Sequence, residues 1–204
     1  MINLLVESGV SLVAQWPTET VTEYFKNVLS IIHDNAKLCF HAGLELHYAY
    51  EEEQAKLFCE QVIKFDAYDS VTYYNKGFSY YILEDFAKAI EYYEEIIDKN
   101  AYNEQVKFEM VVRHKGEALL GLELYQEAID CFNIVISSNF RNSEILLCKA
   151  EALRELGRIE QAEDLEDLAD QYMNTATSTT DFRINTEDDQ SFLLGSNLMY
   201  AETE

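Results

Sequence analysis

Four histidines, four cysteines and 38 carboxylates are the side chains of this 204-residue sequence that could hold a metal or move a proton. His33, His41, His47 and His114 form no HExxH pattern and no pair at i, i+4, the spacing that sets two imidazoles on one helix face. Cys39, Cys59, Cys131 and Cys148 include no CxxC pair, so zinc-ligand spacing is missing and reduced thiols fit better than a disulfide framework. The acidic clusters at Glu51–Glu53, Glu91 with Glu94 and Glu95, and Glu163 to Asp167 read as solvated helix faces rather than acid/base pairs. No GxSxG and no phosphate-cradling glycine loop occurs. The expectation is a protein that is not an enzyme, with no catalytic residue, no metal and no cofactor.

The elements that must position the remaining polar and aromatic groups show in a repeat. Gly43, Gly77, Gly116 and Ala150 are separated by 34, 39 and 34 residues, and Ala55, Ala89, Ala128 and Ala162 follow at the same separations. Within Val71–Ala101, Tyr73, Gly77 and Tyr80 share one helical face, and Ala89, Tyr93 and Ile96 share a second. The next stretch, RHKGEALLGLELYQEAIDCFNIVI, keeps the pattern with Val112, Gly116, Leu119, Ala128, Phe132 and Val135. A third, with Leu146, Ala150, Leu153, Gly157, Ala162 and Ala169, has Glu166 where the others have a ring or thiol, which suggests that the array ends there with a face turned to water. A weaker unit holds Cys39, Gly43, Leu46, Ala55, Cys59 and Val62, and a degenerate one holds Leu5, Gly9, Leu12, Val21, Phe25 and Val28. Cys39, Cys59 and Cys131 thus fall on packing rows, where cysteine serves as a small hydrophobe.

These units resemble the tetratricopeptide repeat, strongly over residues 70–169 and weakly before that. The resemblance implies an all-α fold: an α-solenoid of about five antiparallel helix pairs in a right-handed superhelix. The segments are a helix pair over 1–35, an array over 36–176 with units at about 36–69, 70–103, 109–142 and 143–176, and a tail over 177–204. The proline that usually ends each second helix is absent, with Ala101 and Phe140 in its places. Five extra residues fall near 100–108, where Asn103 could cap a helix lengthened back to Glu104, or the segment could loop out.

In this family the first helix of each unit lines a concave groove, which implies a non-enzymatic adaptor or scaffold holding a protein segment. The groove positions would be Phe40, His41, Leu44, His47 and Tyr48, then Tyr74, Asn75, Phe78 and Tyr81, then Arg113, His114 and Glu117. The first two sets are aromatic and apolar, suited to a peptide with apolar anchors; the alternative is that they pack against the chain itself. Co-chaperones that clamp a terminal carboxylate offer lysine, asparagine and arginine at such places, and here only Asn75 matches in kind, with Arg113 a partial substitute. A second likeness is to the small acidic tetratricopeptide chaperones of bacterial type III secretion, carried by Asp66, Tyr68, Asp69 and Ser70 at the end of EQAKLFCEQVIKFDAYDS. It implies an apolar, exported client.

A net charge of −23 repels phosphate backbones and anionic membranes, so a nucleic-acid partner is not expected. No apolar run approaches the roughly 20 residues that span a bilayer and no secretory leader is apparent, so the expected place is the cytoplasm. The tail carries an apolar island, Phe192, Leu193, Leu194, Leu198, Met199 and Tyr200, read as a short docking motif, and Thr186 ahead of three acids resembles an acidophilic kinase site. A homo-oligomer is left open.

Overall fold

The computed structural model describes residues 18–138 and 142–178. Among them the chain is all helix: α1 (Thr18–Ile32), α2 (Ala36–Tyr48), α3 (Glu52–Val62), α4 (Ser70–Ile82), α5 (Phe86–Asp98), α6 (Phe108–Gly121), α7 (Tyr125–Ser137), α8 (Ser143–Glu155) and α9 (Ile159–Ser178). Consecutive helices pack as pairs, α2 on α3, α4 on α5, α6 on α7 and α8 on α9, the arrangement of an α-solenoid. The chain divides into two compact units, the first running to Val106 and the second from Lys107. Gly9, Leu5, Leu12, Thr186 and the apolar island from Phe192 to Tyr200 lie outside the described residues.

The spacing read from sequence builds the interior. In unit 1, α1 buries Val21, Phe25, Val28 and Ile32 along one stripe, with Phe25 edge-on to Phe58 of α3 at 6.2 Å. Ala55, Cys59 and Val62 on α3 and Ala89, Tyr93 and Ile96 on α5 are closed to solvent, as are Ala128, Phe132 and Val135 on α7 of unit 2. The small residues opposite them are required by rings. A Cβ added at Gly77 would come 2.8 Å from Cε1 of Tyr93, and one at Gly116 would come 2.8 Å from Cε1 of Phe132. At Gly43 the nearest atom would be the Cys59 sulfur at 3.2 Å. Where the fourth repeat has Glu166 instead of a ring, the matching small residue is Ala150, which already carries its Cβ.

Each turn between paired helices is closed alike. Tyr50, Glu84, Glu123 and Gly157 all have positive φ, between 60° and 74°, and they recur at the repeat separations. The N–H of Glu84 donates to the Tyr81 carbonyl and that of Asp85 to the Tyr80 carbonyl, both at 2.9 Å, and the other three turns repeat this Schellman pair. Asn35, Asp69, Asp85 and Asn142 cap α2, α4, α5 and α8 by accepting a backbone N–H.

Asn103 does not start a lengthened helix. Its side-chain oxygen accepts the N–H groups of Gln105 and Val106 at 2.8 Å, and its amide donates to Ser70 Oγ at 2.8 Å. The five extra residues therefore form an irregular connection pinned to the start of α4, and α6 begins only at Phe108. Asn103 satisfies two adjacent backbone donors with a single side-chain acceptor, so the turn needs no helix to hold it.

Candidate functional site

In unit 1 the candidate residues of α2 and α4 are brought together. Tyr74 and Phe78 stack along α4 with ring centroids 6.3 Å apart, and Phe40 of α2 meets both edge-on at 6.5 and 6.0 Å. His47 packs perpendicular to Phe78 at 6.0 Å, and Tyr81 lies 5.8 Å from Phe78 and 5.7 Å from Phe86. Edge-to-face and offset geometry of this kind adds stability beyond the area buried. Exposure then divides the set. Phe40, Tyr74 and Phe78 are only 2, 4 and 3% exposed, and His41, Leu44 and Asn75 are buried with them. His47 and Tyr81 are half-buried at the border, and Tyr48 stands out at 51%.

Polar groups inside this face are tuned by burial. Desolvation, helped by the nearby Lys37 ammonium, lowers the His41 imidazole to about 4, so it is neutral near pH 7. His47 Nδ1 approaches Glu52 at 3.5 Å across the α2–α3 turn. The Asn75 side-chain oxygen is buried with no hydrogen-bond partner among the described residues, an acceptor left short of a donor. Burial, with Asp34 adding to it, pushes the Cys39 thiol up to about 11, and burial pushes Cys59 up to about 12 and Cys148 to about 12, so none is a ready nucleophile.

The candidates in unit 2 are held by their own neighbours. Arg113 Nε donates to Glu117 at 2.8 Å and Arg113 Nη2 to Glu144 of α8 at 2.8 Å, with Arg113 itself buried. The guanidinium that could have substituted in a carboxylate clamp is thus already neutralised by two carboxylates. His114 Nδ1–H donates to the Met110 carbonyl one turn back at 2.8 Å. Glu166, the charge in the packing row, accepts both bonds from Arg154 Nη2 at 2.6 and 2.7 Å. Among the described residues there is no grouping of three metal-ligating side chains, and no helix long and apolar enough to cross a membrane.

The motif at Asp66–Ser70 has local work that accounts for its residues. Asp69 caps α4 through the Thr72 N–H at 3.0 Å, the Tyr68 hydroxyl donates to Asp66 at 2.9 Å with its ring 84% exposed, and Ser70 receives the Asn103 amide. Sequence reasoning passed over one further feature, an open cleft of about 360 Å³ in unit 2 where α7, α8 and α9 meet, with Lys149 and Arg158 on its wall. Its signal was available by setting the repeats in register and comparing charges position by position.

The family profile described as tetratricopeptide repeat matches residues 70–103, which hold α4, α5 and the turn between them. Among curated proteins none matches this sequence. Solved structures similar in fold include a crystal structure of MamA at 15% identity and TM-score 0.52, covering 78% of this chain and 90% of that one. Another is MamA from Desulfovibrio magneticus RS-1, at 11% identity and TM-score 0.53 over 85% and 96% of the two chains. A third, MamA MSR-1, has 16% identity and TM-score 0.52 over 86% and 98%. Residues 70–103 are thus a tetratricopeptide repeat, the small-residue rows recur in register on either side of it, and the described helices pack in pairs as in these structures, an α-solenoid fold.

Proposed function

We propose that this chain is a non-enzymatic scaffold that binds a segment of a protein partner, and that the α2–α4 face of unit 1 is its docking surface. The carrying observation is the run of rings from Phe40 through Tyr74 and Phe78 to His47 and Tyr81, ending at exposed Tyr48. The closest packing of each helix on its pair falls to Gly43, Gly77, Ala55, Ala89 and Tyr93; the rings join α2 to α4 and touch the paired helix where Tyr74 meets Tyr93 at 6.2 Å and Tyr81 meets Phe86 at 5.7 Å. A second, aromatic row backed by a rigid interior is the composition of an interaction hot spot, with Tyr48, His47 and Tyr81 as the contacting edge and the buried rings as its support. The partner this face suits is a peptide with apolar anchors and backbone N–H groups to offer.

Tyr48→Ser combined with Tyr81→Ser is the test. Both side chains reach solvent, so the variant retains its helicity while losing at least tenfold in affinity for peptides selected from an array on the parent protein. Unchanged binding with unchanged helicity moves the site off this face.

A further inference from the structure

The cleft of unit 2 is a different site. Ile129 of α7, Leu153 of α8 and Leu165 of α9 form its apolar floor, and Lys149 and Arg158 stand at its wall with Gln126, Asn133, Gln161 and Asp164. Lys149 lies two residues from both Leu147 and Glu151, about 200° round α8 from each. Neither Lys149 nor Arg158 forms an ion pair among the described residues, and burial pulls the Lys149 ammonium below the ordinary lysine range. An incompletely hydrated cation without a counter-charge is a favourable place for a carboxylate.

The same nine positions of unit 1, 73 residues earlier, show what this arrangement replaces. There Tyr80 and Tyr92 stand where the cleft has Leu153 and Leu165, and they stack at 5.5 Å. Lys76, aligned with Lys149, lies 5.9 Å from the Tyr92 ring centroid, and Lys88 pairs with Asp85 and sits 5.1 Å from the centroid of Tyr80. In unit 2 the ring positions shrink to leucine and open the cleft. Gln126, Asn133 and Arg158 stand where unit 1 has Glu53, Glu60 and Asp85. Positions that hold three lysines and four carboxylates in unit 1 thus hold two cations and one carboxylate, Asp164, in unit 2. In a chain of net charge −23, these positions exchange acidic character for basic character around a floor of half-buried Leu165 and the largely covered Ile129 and Leu153.

We propose that the α7–α8–α9 cleft binds a segment of a protein partner that presents a carboxylate beside an aliphatic side chain, with Lys149 and Arg158 holding the carboxylate and Ile129, Leu153 and Leu165 receiving the aliphatic group. A charge-assisted contact at the wall and apolar burial at the floor together select such a ligand over a purely acidic or a purely apolar one. The site shares no residue with the unit 1 face, so either reading stands or falls without the other.

The probe is a fluorescent pentapeptide alternating glutamate and leucine, titrated into the full chain by anisotropy at low salt, beside the same peptide with glutamine for glutamate. Saturable binding of the acidic peptide is expected, weakened at least tenfold by the glutamine exchange and equally by Lys149→Gln with Arg158→Gln, at an unchanged melting temperature. Absence of saturable binding, equal affinity for the two peptides, or full affinity in the double variant overturns the proposal. Affinity that rises when the chain is ended at Ser178 also overturns it, because the acidic tail of the chain itself would then be the occupant.

Discussion

Units 1 and 2 carry the same repeat at the same spacing with different chemistry on corresponding positions. Phe40 and Tyr74 of unit 1 align with Arg113 and Leu147 of unit 2, and Leu44 and Phe78 align with Glu117 and Glu151. One unit seals this row with rings in edge contact; the other ties it with ion pairs, Arg113 bridging Glu117 and Glu144. The repeat itself is held by small residues and the row opposite them, which leaves the remaining first-helix row free to specialise without loss of the fold.

The strongest test of this contrast is truncation at one repeat position in both units. Phe40→Ala is expected to cost about 3–5 kcal/mol in denaturant unfolding, because a buried ring is replaced by a cavity. Leu147→Ala, at the position that Phe40, Tyr74, Arg113 and Leu147 share in their repeats and 40% exposed, should stay within about 0.5 kcal/mol. Equal losses would mean that the two rows are used alike.

Acid sharpens the comparison next. His41 is held neutral, its proton affinity lowered in the fold to about 4 from the ordinary 6.5. Between those values the unfolded chain takes a proton that the fold refuses, so stability falls as pH drops from about 7 to about 4 and the loss is complete below that. The full effect is on the order of 3 kcal/mol. Urea midpoints of the parent and His41→Gln, compared across this range, should diverge as pH falls, with the parent losing more; parallel curves would place His41 in water.

Smaller effects separate the glycines. Gly77→Ala and Gly116→Ala each drive a methyl into a ring edge and should cost about 1–2 kcal/mol after the better helix propensity of alanine is credited. Gly43→Ala meets no ring, its tight neighbour being the Cys59 sulfur at 3.2 Å with Phe58 Cβ and the Ala55 carbonyl at ordinary contact distance, and should cost nothing measurable by thermal melting. Ala89→Leu, at a position closed to solvent, belongs with the costly pair at about 1–3 kcal/mol. A costly Gly43→Ala would detach the penalty from the ring.

The helix registers were legible because 3.6-residue periodicity and small-residue rows are local facts of the sequence. Less legible was how far a row is covered. Periodicity places Phe40, Tyr74 and Phe78 on one face with Tyr48 and Tyr81, but which of them reach solvent depends on packing from distant residues. The neutralisation of Arg113 by Glu144, 31 residues away, is likewise tertiary. Of the four left-handed turn residues only Gly157 announces itself; Tyr50, Glu84 and Glu123 occupy the same conformation against their intrinsic preference, held by the paired hydrogen bonds of each turn. Asn103 was ambiguous because one side chain can open either a helix or a turn, and the donors it meets at Gln105 and Val106 decide between them.

The contacts between Gly77 and Tyr93 and between Gly116 and Phe132 impose an order on how such a repeat can diverge. A lineage with alanine at the first position cannot acquire the ring sixteen residues later without passing through an overpacked, less stable ancestor, whereas one that reaches glycine first crosses at the modest expense of helix propensity. Loss of the ring then frees the small residue to drift, as the pairing of Ala150 with Glu166 illustrates. Aromatic repeats of this kind are easier to leave than to enter, so the ring and its glycine should be inherited together.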